Sequence, residues 1–233
     1  MEVWKFLLLN PNQSGTMLAQ SALRHLAAVL DWEAGHSGVI VSFRSRLAQS
    51  VYDFLDVGKS PRLADCIFVL AGKQERKIYG IKMWHFGYAA QLILSVERFE
   101  WRKFSELNLE SDGGLKALVE QTPAKKRHFL VRLDRQDTIC IPVHKGFFGT
   151  RSEARAVAEC LRNLSVRSLL VVSSPVHLRR VALAFRRAFR KSGIQLTFVA
   201  VPEKLSFAFP AERAPVWLEF CKYLLYRFLL SWP

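Results

Sequence analysis

Ser173, Ser174, His177 and Arg180 lie within eight positions, directly after the apolar run Leu169–Val172. Two hydroxyls, an imidazole and a guanidinium can together hold an oxyanion and move a proton. Hydroxyl and guanidinium groups donate hydrogen bonds, and an imidazole titrates near neutrality. The run before them is too brief for a buried helix and reads as a central parallel strand. Pro175 suits the first position of a helix, and either serine can cap it. Leu178, Val181, Phe185 and Ala188 then recur at helical spacing as a core-facing stripe. The cluster is thus expected where a strand ends and a helix begins, a place suited to anions. A capped helix with solvated basic residues is the plain alternative.

Two further turns invite the same reading. Cys66–Leu70 is a continuous apolar strand, Ala71-Gly72 follows, and Lys73 to His85 reads as a helix ending at Gly87. Gly72 lets backbone approach a ligand, and Arg76 in the first helical turn opposes the helix dipole unless an anion sits nearby. Gln91 to Ser95 supplies a second strand and completes a βαβ unit. Downstream, Thr150 and Glu153 have capping-box spacing ahead of a helix with Ala154, Val157, Ala158 and Leu161 at core positions. The same carboxylate is placed to orient His177 or a ligand hydroxyl. The expectation is that the loops at 72, 149–153 and 173–180 converge on one pocket at one end of the sheet. His85 and His144 stand outside any motif and read as ordinary histidines.

The rest of the chain supplies the frame. His128–Leu133 and Thr138–Val143 read as a hairpin, with one strand free to join the main sheet. Residues 97–126 are polar and carry a helix or two over a sheet edge. Leu196–Val201 is another apolar strand. Pro215 opens a terminal helix whose apolar side is read as Trp217, Phe220, Cys221, Leu224, Leu225 and Phe228. At roughly 16 residues and about 1.5 Å each it falls short of a bilayer. Residues 1–60 form a helical extension, with a helix over Met17–Leu30, a loop at Gly35–Gly38 and a second helix over Leu47–Leu55. From 61 to 233 strands and helices alternate, which implies an α/β fold: a three-layer sandwich around a mainly parallel sheet.

Half of the 233 residues are hydrophobic, which supports a core and excludes a disordered chain. The net charge of +14 favours anionic partners without choosing among phosphate-bearing metabolites, nucleic acid and acidic membrane. Cys66, Cys140, Cys160 and Cys221 form no C-x-x-C pair and sit in apolar segments, so buried free thiols are expected and no metal site. Gly58-Lys59-Ser60 fails as a phosphate loop: Asp53 stands where glycine is required, and Pro61 blocks the helix that must follow. No signal-peptide layout or membrane-length apolar run is visible.

The successive segments Ala64–Gly72, Arg76, Gly149–Ala154 and Val171–Arg180 resemble the ordered motifs of the YdcF/SanA/ElyC family. The resemblance covers about residues 50–230, and its most specific element is Ser174, His177 and Arg180 in an S-x-x-H-x-x-R arrangement. It departs from the family where Lys73 replaces a frequent second glycine after the first strand. The resemblance implies a Rossmann-like fold, a polar site at the carboxyl rim, an association with S-adenosylmethionine and a link to the bacterial cell envelope.

The resulting expectation is a small anionic or nucleotide-like ligand held by Gly72, Arg76, Thr150, Ser173, Ser174 and Arg180. His177 would transfer protons and Glu153 would orient it, as in a hydrolase or transferase of a phosphorylated substrate. The protein is expected in the cytoplasm or at the periphery of the inner membrane, and a non-catalytic envelope factor held to the membrane by acidic lipids is an alternative reading. Nucleic acid is the least favoured partner: the Arg179, Arg186, Arg187, Arg190, Lys191 stripe has no interleaved exposed aromatics.

Overall fold

The computed structural model describes residues 38–231 except 98, 108, 110–113, 135–136, 145, 147–148, 204–206 and 208. The helix expected over Met17–Leu30 and most of the loop at 35–38 lie outside the described residues.

In chain order the elements are α1 (Gly38–Leu55), β1 (Cys66–Val69), α2 (Gln74–His85) and β2 (Gln91–Glu97). A 3-10 helix (Glu100–Leu107) and α3 (Leu115–Gln121) follow, then β3 (His128–Leu133) and β4 (Thr138–Pro142). The chain closes with α4 (Gly149–Leu161), β5 (Ser168–Ser173), α5 (Pro175–Ala188), β6 (Gln195–Ala200) and α6 (Pro210–Ser231). The six strands form one mixed sheet in the order β4-β3-β2-β1-β5-β6. β1 pairs in parallel with β2 and β5, β5 pairs in parallel with β6, and β3 runs antiparallel to both β2 and β4. The expected hairpin is present, and both of its strands extend the main sheet.

Alternation along the strands divides the apolar residues between two cores. Phe68, Leu70, Ile93, Leu130, Leu169, Val171 and Phe198 pack with Ala154, Val157 and Leu161 of α4 and Leu178, Val181 and Phe185 of α5. Ile67, Val69, Leu92, Leu94, Val131, Leu170 and Val172 pack with Ile81 and Met83 of α2, Phe104 and Leu107 of the 3-10 helix, and Val119 of α3. Leu55 of α1, Val176 of α5, and Val216 and Tyr223 of α6 form a third, smaller cluster. Gly80 brings α2 onto β1 so closely that a β-carbon there would collide with Val69. At the amino end of the sheet, Asp65 Oδ2 accepts hydrogen bonds from Arg167 N, Ser168 N and Ser168 Oγ, each at 2.8 Å. That clip ties β1 to β5 at the end away from the expected site.

Several boundaries differ from expectation. α1 begins at Gly38, well before Leu47. The cap of α2 is Phe86, with Gly87 (φ 78°) just beyond it. α6 begins at Pro210, and Pro215 lies inside it. Glu212 accounts for the earlier start, since its carboxylate accepts the Phe209 N–H at 3.1 Å, half of a capping box. At 22 residues α6 no longer falls short of a bilayer by length. Among the described residues no helix is long and apolar enough to cross a membrane. The apolar face of α6 is also rotated from the one expected: Val216, Glu219, Tyr223 and Tyr226 are buried, and Cys221, Leu224, Leu225 and Phe228 are exposed. The four cysteines are free, but only Cys66 is fully buried, so the expectation of four buried thiols fails most clearly at Cys221.

Candidate functional site

Because β1, β2, β5 and β6 run in the same direction, their carboxyl ends share one rim, and the three expected turns meet there. Three hydrogen bonds join them. Glu153 Oε1 accepts the Ala71 N–H at 3.0 Å, Arg76 Nε donates to Ser174 Oγ at 2.9 Å, and Arg180 Nη1 donates to Thr150 Oγ1. The three turns meet at one end of the sheet, as expected. The parts assigned to individual residues change.

Gly72 has φ 123°, a conformation that favours glycine. The space over it is filled by the molecule itself: a β-carbon would lie 2.8 Å from Arg76 Nη1. Its N–H donates to Glu100, whose carboxylate also takes Lys77 Nζ at 2.6 Å and Glu97 N at 3.2 Å. Gly72 therefore makes room for Arg76, where the sequence suggested room for a ligand.

Arg76 is 6% exposed. It donates from Nε to Ser174 and from Nη1 to the Ala71 carbonyl at 2.7 Å, and it forms no ion pair among the described residues. Burial works against its charge, and Glu153, Glu100 and Glu203 support that charge without touching it. A guanidinium has five N–H groups, so donors remain for a further acceptor. At the end of β5 the Ser173 hydroxyl is fully buried and has no hydrogen-bond partner among the described residues. An orphaned buried hydroxyl is uncommon and calls for an explanation. Ser174 occupies the N-cap position of α5, yet its side chain makes no capping bond because it is engaged by Arg76. At the start of α5, Pro175 has no N–H and the His177 N–H donates to the Ser174 carbonyl at 3.1 Å.

Glu153 does not reach His177. Thr150 is the second residue of α4, two positions past the N-cap, and the expected capping box is absent. The Glu153 carboxyl is instead directed into the sheet, where it takes the Ala71 N–H and a hydrogen bond from Ser95. Ser95 Oγ lies 2.8 Å from His128 Nε2, and that nitrogen is 3.8 Å from Glu153. Burial pushes the Glu153 carboxyl above its ordinary value, with the two hydrogen bonds pulling back.

The partner of His177 is Glu219, on α6. Glu219 Oε2 is 2.8 Å from His177 Nδ1, 2.9 Å from Arg180 Nη2 and 3.0 Å from Arg180 Nε, and Oε1 takes Lys222 Nζ at 2.7 Å. Burial opposes its charge, but His177, Arg180 and Lys222 together hold the carboxylate well below the usual range. Burial lowers the His177 pKa, Glu219 raises it, and Arg76 and Arg180 add to the lowering. The imidazole is therefore neutral at neutral pH and donates Nδ1–H to Glu219, leaving Nε2 as an acceptor. Arg180 is committed to Glu219 and Thr150, so it orients and does not present a free charge. Among the described residues no group of three or more His, Cys, Asp or Glu is placed to hold a metal ion. His85 and His144 are exposed and outside the cluster.

The chain matches no family model, no curated protein and no solved structure.

Sequence reasoning missed Glu219, Glu100 and the Ser95–His128 pair. A signal for Glu219 was available: Val216, Glu219, Tyr223 and Tyr226 are spaced three, four and three apart, a buried stripe with one acid in it. Glu100 and Ser95 carry no spacing that separates them from solvated or core polar residues.

Proposed function

We propose that this chain is an α/β ligand-binding domain that takes a small phosphate-bearing or nucleotide-like anion at the carboxyl rim, between β1 and β5. One observation carries the reading: Arg76 is a buried guanidinium with no ion pair among the described residues, bonded to Ser174 at the start of α5. A buried unpaired charge is costly, and an anionic ligand is the partner that offsets it. Strand order supports the location. The chain winds from β1 outward to β2 on one side and from β5 outward to β6 on the other. In open α/β sheets ligands bind where the winding reverses.

The same features favour a three-layer Rossmann-like sandwich, since apolar cores with helices occupy both faces of the sheet. The YdcF/SanA/ElyC resemblance agrees with this reading, because its S-x-x-H-x-x-R residues lie on the rim. S-adenosylmethionine as a ligand and a part in envelope biogenesis rest on that resemblance, and a cytoplasmic location rests on the four free cysteines.

Calorimetry with inorganic phosphate, adenosine monophosphate and S-adenosylmethionine tests the site. Arg76→Met is expected to weaken binding of the phosphate-bearing ligands at least tenfold. Unchanged binding would remove Arg76 from the site and the reading with it.

A second reading is peripheral contact with an acidic membrane. It is favoured by the exposed Phe43, Leu47 and Phe54 on α1 and Leu224, Leu225 and Phe228 on α6. Co-sedimentation with anionic vesicles, compared with neutral ones, decides it.

A further inference from the structure

Four elements contribute to the rim beyond what simple anion capture needs. α2 brings Arg76, β5 brings Ser173, α5 brings His177, and α6 brings a carboxylate locked onto the far nitrogen of that imidazole. A histidine with Nδ1 tied to a buried acid is fixed in one tautomer and one orientation, with Nε2 as its only open nitrogen. Arg180 and Lys222 hold Glu219 from two other sides, so the acid cannot swing away.

We infer that Glu219 and His177 form a base dyad that activates water against a phosphodiester anchored by Arg76. Glu219 is a positioning residue for His177 that nothing in the sequence motif includes. The inference rests on the anion site proposed above and adds a reaction to it.

The charge balance chooses the substrate class. Arg180 and Lys222 share Glu219, Lys77 pairs with Glu100 and Lys73 with Glu203, which leaves Arg76 as the one buried cation of the described rim without an ion pair. One unpaired positive charge matches the single negative charge of a phosphodiester better than the near-dianion of a monoester. The choice of water over a serine nucleophile is also geometric. Ser174 Oγ accepts from Arg76, and no hydrogen bond joins either serine side chain to the His177 ring among the described residues.

The step balances without a redox partner. His177 Nε2 takes a proton from water as the water oxygen bonds to phosphorus. The bond from phosphorus to the leaving oxygen breaks with its electron pair on that oxygen. The leaving oxygen then recovers the proton from Nε2, giving an alcohol and a phosphomonoester for one water consumed. Glu219 stabilises the transient imidazolium at Nδ1. The groups that face the ring are Glu219 from α6, Arg76 from α2 and Arg180 from its own helix.

The test is hydrolysis of bis(p-nitrophenyl) phosphate by the full chain, followed as p-nitrophenolate release across pH. An ascending limb centred below the ordinary histidine value is expected. His177→Gln should lower kcat about 10²–10⁴-fold, the usual contribution of a general base. Glu219→Gln should lower kcat with little change in KM and move the limb to lower pH, which a purely structural role would not do. Arg76→Met should raise KM. Full activity in His177→Gln overturns the inference, as does a wild-type chain that binds phosphate by calorimetry yet never turns over the diester; in the latter case the binding site stands alone. Absence of phosphate binding would remove both. Since His177 is part exposed, its variant keeps the test decisive even if Glu219→Gln does not fold.

Discussion

Glu153 and Glu219 are both nearly excluded from solvent, and both stand at helix positions beside the carboxyl rim, yet they are driven in opposite directions. Glu153 meets a backbone amide, a serine hydroxyl and a histidine, and burial raises it. Glu219 meets a guanidinium, an ammonium and an imidazole, and those partners overcome a burial penalty that is the largest single influence on it. The contrast shows that burial alone does not mark a working carboxylate; the company it keeps does. It also exchanges the roles read from sequence. The acid within the recognised motif region secures the sheet, and the acid outside it holds the histidine.

The largest effect that would break this comparison comes from Glu219. Glu219→Ala strands Arg180 in a mostly buried position and should cost about 3–5 kcal/mol, the usual loss when one partner of a buried pair is removed. Urea unfolding measures it, and a loss below about 1 kcal/mol would mean that the pair is solvated. Glu153→Gln should behave oppositely at neutral pH. The amide still accepts the Ala71 N–H but no longer carries a charge into a dry site, so stability should hold or rise. In wild type, a carboxyl raised in the folded state contributes stability below its ordinary 4.5 and loses it as pH rises through the folded value. Glu153→Gln should flatten that decline.

Arg76→Met, similar in length and apolar, should change stability by less than about 1.5 kcal/mol while weakening phosphate binding. A large destabilisation would recast Arg76 as a structural strut. The smallest effect concerns His177. Its folded value is lowered, so the unfolded chain binds more protons within that window. Stability should be full above about pH 6.5 and fall as pH drops below it, and His177→Gln should remove that limb from a plot of Tm against pH. Glu219 adds a second loss, which begins only as pH falls below its ordinary 4.5.

Much of the frame was legible in the residues. Leu169–Val172 and Cys66–Val69 are short, apolar on both faces and followed by turn residues, a pattern that suits central parallel strands. The meeting of the three turns followed from that topology. Side-chain partners were not legible, because spacing along one element does not say what another element brings against it. Thr150 and Glu153 have ideal capping distance, but α4 starts at Gly149, and both side chains are turned toward other segments. On α6 apolar residues occur on more than one side, which hid the side that faced inward. The buried stripe there is the one that carries Glu219, and the more apolar side is exposed.

Arg76 precedes Gly80 by one turn of α2, so the two lie on the same side of that helix. The missing side chain at 80 sets how deeply α2 sits against Val69, and with it how far the guanidinium reaches toward Ser174 and the Ala71 carbonyl. A residue with no polar side-chain atom thus governs the reach of the one buried cation of the described rim that has no ion pair. Alanine at 80 would act as a shim, lifting the helix and drawing the cation back from its seat with no site residue substituted.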